Sequence, residues 1–225
     1  MLGFLFYGTQ YERKLTKKPL FGLMLWQGQI GPDGFWTGRR VTSLCRKLHH
    51  KRVNRVLLPQ DFPYLNRVKQ EGLTTVDTLP LYRRHAAQLA LTALQQQHQA
   101  PEKSKIALKG AQVDRDLCQA ACQLSPLVKG LAIMVTNGGE MLAHQLRMEY
   151  GIPVYPDHHE AAVTIYFSPA EQGAGRELHL YGEKAEECGV RISSPKLPQE
   201  WSHSVPLLTA LWETGKIGSE SLEFT

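Results

Sequence analysis

Two short turns hold the residue types from which an anion site is most simply built. Gly110-Ala111-Gln112-Val113-Asp114 and Thr136-Asn137-Gly138-Gly139 each follow an apolar run, KIALKGA and GLAIMVT, and each precedes a stretch with helical period. Glycine amides at a helix N-terminus can cradle a phosphate or carboxylate, since no Cβ keeps the anion away and the unpaired N–H groups carry partial positive charge. Gly110, Thr136, Asn137, Gly138 and Gly139 are therefore the candidate ligand-binding residues. A structural reading competes: Asn137 caps the helix, the glycines make a tight connection, and Glu140 completes a capping box. The first turn also argues against diphosphate. Gln112 and Val113 put side chains where bare backbone is wanted, and a left-handed conformation at a non-glycine residue costs roughly 1–2 kcal/mol. Asp114 and Asp116 stabilise a helix start but repel a phosphate there.

A second constellation is electrostatic. Residues 39–55, RRVTSLCRKLHHKRVNR, hold seven Lys/Arg and two His with no acid. Val41, Leu44, Cys45 and Leu48 fall at i, i+3, i+4, i+7, so Arg39, Arg46, Lys47 and His50 project away from the apolar stripe. That face is either the solvated side of an amphipathic helix or a surface for an anionic partner. Trp36 just before it adds an aromatic of the kind that suits single-stranded nucleic acid. The asymmetry is regional, with 16 Lys/Arg against 6 Asp/Glu over residues 1–103 and 10 against 15 over residues 104–225.

The remaining candidates are weaker. His49-His50 and His158-His159 are adjacent in sequence, and neighbours diverge on a helix or a strand, which makes a poor chelate. Cys118 and Cys122 share a helix face at i, i+4, but no third ligand accompanies them, and with Cys45 and Cys188 they read as reduced, packed thiols without metal. Tyr82-Arg83-Arg84-His85 opens a helix that could face a ligand at a strand end. GxSxG, HExxH and GxxxxGK[ST] are absent.

The elements that position these residues alternate. GFLFYG and PLFGLMLWQGQI read as strands, with Gly31-Pro32-Asp33-Gly34 as the hairpin turn. A helix from Thr37, the strand VNRVLLP, a helix ending at Gly72, and a long helix over 82–98 follow. Residues 100–104 read as a linker. Then come strand, helix, strand, helix, the strand IPVY and the strand in HHEAAVTIYFSP, the pattern of βαβ units on a parallel sheet. Beyond Glu183 one short helix is expected at 205–214, with Leu208, Leu211 and Trp212 clustered and Gly215 as its stop. The expected domains are thus a basic α/β lobe over 1–100, a βαβαβ lobe over 104–182 and an extension over 183–225. RVLLP to EGLTTV also parallels IMVTNGGEMLAHQLRMEYGIPV weakly, so two similar halves are one reading. No apolar run nears the ~18 residues of a membrane span, and the start lacks a charged signal region, so a cytoplasmic protein is expected.

The run from KIALKGA to HHEAAVTIYFSP resembles Rossmann-type nucleotide-binding domains, most like those of the shikimate dehydrogenase and glutamyl-tRNA reductase kind. The resemblance covers about 65 residues and implies an α/β fold, a three-layer, mostly parallel sheet. It would also imply NAD(P), but G-x-G-x-x-G is reduced to Gly110, and Thr136-Asn137 stand where the ribose-binding acid belongs. The expectation is no cofactor. The leading functional reading is a non-catalytic module that binds a protein partner or small anionic ligand, with no membrane. One alternative is an enzyme acting on a nucleotide or phosphorylated metabolite between the lobes, near Gly110, Thr136-Asn137 and Pro59-Gln60. The other is nucleic-acid binding through the 39–55 face.

Overall fold

Phe21 and Gly22 both have positive φ, 47° and 82°, and this pair decides where the chain first reverses. A type I′ two-residue hairpin turn needs left-handed backbone at both central positions, and its twist matches that of the flanking strands. In the computed structural model, which describes residues 1–59, 61–157 and 159–225 and only the backbone of Glu183, Lys184 and Glu186, the hairpin therefore joins β2 (Thr16–Leu20) to β3 (Leu23–Ile30). The turn expected at Gly31–Gly34 instead leads from β3 into α1 (Thr37–His50). It is fastened there by the Gly34 amide, which donates to Thr37 Oγ1 at 2.9 Å.

Around that hairpin lie β1 (Leu2–Tyr7), β4 (Arg55–Leu57), α2 (Leu65–Gln70) and β5 (Thr74–Thr75), followed by α3 (Leu79–Arg84) and α4 (Ala86–Gln96). The helix expected over 82–98 is thus two helices broken at His85. Next come β6 (Lys105–Gln112), α5 (Arg115–Leu124), β7 (Gly130–Asn137), α6 (Gly139–Tyr150), β8 (Val154–Tyr155) and β9 (Ala161–Tyr166). The chain closes with β10 (Arg176–His179), β11 (Ile192–Ser193), α7 (Val205–Glu213) and β12 (Glu223–Phe224). Two compact units result, 1–77 with 194–222, and 78–193 with 223–225. The first boundary thus falls at Asp77/Thr78 rather than in the 100–104 segment. The C-terminal stretch is no separate extension, since most of it belongs to the first unit.

The first unit is a five-stranded sheet in the order β2-β3-β1-β4-β5, parallel except for β2. One face carries α1 and α2 over Leu5, Ile30, Leu44, Leu48, Val56 and Val68. On the other, Phe4 meets Trp201 at 5.4 Å between ring centroids. Arg55 bonds Glu213 of α7 at 2.7 Å, so the 205–214 helix docks on its own body, with Leu207, Leu208 and Leu211 buried. This is a three-layer α/β arrangement.

The second unit is an all-parallel sheet in the order β10-β9-β6-β7-β8. In both sheets the strand that opens the unit's strand series is central, and two helix-linked strands follow on one side. The sequence parallel between 55–76 and 133–154 thus has a topological counterpart, β4-α2-β5 beside β7-α6-β8. The α/β, Rossmann-like class expected from the alternation is the observed one. β10 is an addition: Arg176–His179 carries two charges and one apolar residue and has no strand-like run.

Candidate functional site

Open α/β sheets bind ligands beyond the carboxyl ends of their strands, and in the second unit those ends carry the connections after β6, β7 and β9. β6 is longer than its apolar run and continues to Gln112, which pairs with Asn137. The Val113 amide then donates to the Asn137 carbonyl at 3.0 Å. The connections after β6 and β7 are therefore tied together just beyond their strands. Val113 also lies against Gly138, its Cγ2 in van der Waals contact with the space a Cβ would take. On the other side the Ala111 amide donates to Ser168 Oγ at 2.9 Å.

Gly110 is inside β6 rather than in a turn, and a Cβ there would come within 3.2 Å of Leu117. Its role is close packing of α5 on the sheet. Gly138 is the true turn residue, with φ +84°, and it caps α6. The expected capping box is absent: Asn137 ends β7, and no side chain caps this helix. Geometry explains the difference. An N-capping side chain needs extended backbone at the cap, whereas the position before Gly139 is left-handed. Thr136, Asn137 and Gly138 sit exposed on the rim, and Gly139 is buried against Val135.

The helix start that would meet a diphosphate already holds an anion of the chain's own. Asp114 Oδ1 accepts the Leu117 amide at 2.9 Å, and Oδ2 accepts from Arg83 of α3. Arg83 lies 4.0 Å from Asp116 through Nε, and its guanidinium covers the Phe167 ring at 5.3 Å. Of the Tyr82–His85 segment, Arg83 is thus engaged by two acids of the same unit, and Arg84 meets the Gln119 side chain.

Sequence reasoning missed the residues that share the carboxyl ends of β6, β9 and β10. Lys109 pairs in register with Tyr166, and Tyr166 with His179. Lys109, only 4% exposed, donates to the carbonyls of Glu171 and Gln172 at 3.1 and 3.4 Å, and its ammonium faces the Tyr166 ring at 5.7 Å. Tyr166 OH donates to Glu177 at 2.6 Å and its ring stacks on His179 at 4.7 Å. Burial, reinforced by that carboxylate, holds the Tyr166 phenol well above its ordinary range, while the phenol's hydrogen bond holds Glu177 below the usual carboxylate value. The row contains groups able to move protons, but most of their polar atoms answer one another or the 167–175 backbone. The signal in the sequence was a lysine inside an apolar strand.

In the first unit the predicted basic residues are placed unequally. Arg39 and His50 are at least partly open to solvent, with the Arg39 guanidinium 4.7 Å over the Trp36 ring. Arg46 is instead paired with Glu71 at 3.0 Å, and Lys47 donates to the Arg13 carbonyl at 2.6 Å. Burial pushes the Cys45 thiol up to about 12. Cys118 is raised too, by burial and then by Cys122, and among the described residues no group of three or more His, Cys, Asp or Glu could hold a metal. Gln60 of the Pro59-Gln60 pair and His158 of the histidine pair lie outside the described residues.

Two depressions lie away from these loops. One, of about 700 Å³, is lined by Lys103, Lys105, Lys129 and Glu160 at the amino ends of the second sheet. The other, of about 520 Å³, is lined by Leu2, Met24, Asn54 and Arg55 in the first unit. No helix among the described residues is long and apolar enough to cross a membrane.

No family model matches the chain, and no curated protein matches it. Among solved structures it is similar to L-tryptophan dehydrogenase from Nostoc punctiforme, at 14% identity over 64% of this chain and 44% of that one, with a TM-score of 0.32. D-lactate dehydrogenase from Escherichia coli is 12% identical over 64% of this chain and 59% of its own, with a TM-score of 0.31. D-mandelate dehydrogenase from Rhodotorula graminis is 10% identical over 96% and 78%, with a TM-score of 0.34. The match thus spans about half the length of the first two.

Proposed function

We propose that this chain is a non-catalytic binding module, a Rossmann-like scaffold whose dinucleotide position is filled by its own side chains. The observation that carries this reading is the seating of the Asp114 carboxylate on the first turn of α5, with Arg83 behind it. A diphosphate would need those amides and would meet two acids, Asp114 and Asp116, at a helix start. The bond from the Ala111 amide to Ser168 Oγ supports the same reading, because it bridges the ends of β6 and β9, where the strand order reverses and a crevice would open. The Lys109–Tyr166–Glu177 network supports it as well. Its donors and acceptors serve to hold the 167–175 segment against the sheet.

Calorimetric titration of the whole chain with NADH and NADPH tests the proposal, alongside a thermal-shift screen of nucleotides and sugar phosphates. The expected result is no saturable heat at millimolar cofactor and no rise in melting temperature. A ligand present at 100 times its Kd would stabilise the fold by about 2.7 kcal/mol. Such a shift with NAD(P)H, abolished in Val113→Trp, overturns the proposal.

A further inference from the structure

We infer that Phe35, Trp36 and the adjoining turns of α1 form a docking surface for single-stranded nucleic acid. The inference rests on the reading of the chain as a binding module and names where it binds and what. Phe35 is 92% exposed and Trp36 is 51% exposed. Their rings meet edge to face at 5.1 Å and 88°, and Arg39 lies over the indole. Aromatic side chains of this size are ordinarily drawn into cores, and here both are held out on a fastened pedestal. Thr37 is fully buried and accepts the Gly34 amide, while Asp33 accepts the Tyr64 hydroxyl at 3.0 Å. A turn fastened before binding leaves less backbone freedom to lose when a base stacks on these rings.

Charge complements the rings. Residues 1–77 hold 13 Lys/Arg against 5 Asp/Glu, and α1 itself carries no acid, with Glu71 beyond α2 answering Arg46 alone among the described α1 cations. Arg39 and Arg40 lie within four residues of Trp36. Lys47 reaches the Arg13 carbonyl, which brings the exposed Arg13 and Lys14 alongside the helix. From Trp36 to Lys47 the helix rises roughly 16 Å, the span of about four or five stacked nucleotides. Stacking platforms set beside a cationic track are how proteins hold single strands without reading sequence. A bilayer fits less well. Val41, Leu44, Cys45 and Leu48 are all fully buried in the core, so α1 has no apolar face to lay into lipid.

Fluorescence anisotropy with labelled dT12 and rU12, and with a 12-base-pair duplex, tests the inference on the full chain. Single strands are expected to bind and the duplex to bind at least fivefold more weakly. Raising salt from 50 to 200 mM is expected to weaken single-strand binding roughly 20–50-fold, the response to three or four phosphate contacts. Phe35→Ala/Trp36→Ala is expected to cost at least tenfold with the salt slope unchanged. Arg39→Gln/Arg40→Gln is expected to lower that slope by about 1.4. Both variants change surface side chains, and unchanged melting temperatures establish that they fold. No anisotropy change at 100 µM protein in 50 mM salt overturns the inference. So does equal duplex binding indifferent to the aromatic variant, or co-sedimentation with phosphatidylserine vesicles in place of oligonucleotides. Self-association lost in Phe35→Ala, with no oligonucleotide binding, also overturns it. These outcomes leave the cofactor titration untouched, so failure here and failure of the binding-module reading are distinguishable.

Discussion

Arg83 and Asp114 are joined across 31 residues, and the carboxylate that accepts the guanidinium through Oδ2 accepts the Leu117 amide through Oδ1. One side chain thus caps α5 and ties α3 to it. Asp114→Ala is expected to lower stability by about 1–2 kcal/mol, chiefly through the lost cap. Asp114→Asn, which keeps an acceptor, is expected to lose less. In a cycle with Arg83→Met the coupling should be about 0.5–1 kcal/mol, since the pair is partly open to solvent. Urea denaturation monitored by circular dichroism measures the parent, the three single variants and the double variant.

Lys109 fastens the 167–175 segment by donating to two backbone carbonyls from a buried position. Hydrogen bonds made by charged groups contribute about 1.5–3 kcal/mol each. Lys109→Met, similar in length but without donors, is expected to destabilise by roughly 3 kcal/mol, since the bond to Gln172 is long at 3.4 Å. Faster hydrogen exchange should be confined to residues 171–175. Exchange spread evenly over the second unit would show that the lysine serves general packing instead.

His85 breaks the α3–α4 helix, is buried, and its ring lies tilted against that of Phe224 at 5.5 Å. Burial lowers its pKa, opposed in part by the Leu81 carbonyl, toward which Nδ1 points at 2.9 Å. The unfolded chain therefore takes up this proton first, near the ordinary value of about 6.5. Stability is complete above that pH and falls as pH drops toward the lower folded value. A fall in melting temperature from pH 7.5 to 5.5, smaller in His85→Phe, is the expected result. Glu177 acts in a separate window: its lowered pKa yields stability that is lost only as pH falls below about 4.3.

Leu211 of α7 is fully buried, and Gly215, with φ +67°, ends the turn after that helix. Leu211→Ala is expected to cost 2–5 kcal/mol through transfer and cavity terms. Because 194–222 covers the Phe4 face of the first sheet, deleting 194–225 should abolish cooperative unfolding of residues 1–77. Differential scanning calorimetry of the two variants checks both statements.

Local pattern determined much of this protein. The period of Val41, Leu44, Cys45 and Leu48 specifies α1. The apolar runs KIALKGA and GLAIMVT specify buried parallel strands, and Asp114 ahead of the next helical period specifies a capped helix start. These features depend on neighbours a few residues apart, where backbone sterics and hydrophobic period act directly. Tertiary structure decided the rest. It chose Phe21-Gly22 over Gly31–Gly34 as the hairpin, gave Asp114 its partner from α3, and returned 194–222 to the first unit. It also aligned Lys109, Tyr166 and His179, whose strands bring together residues up to 70 positions apart in the chain. Such contacts are set by which surfaces must be covered and which buried charges must be answered, and no window of sequence contains both partners.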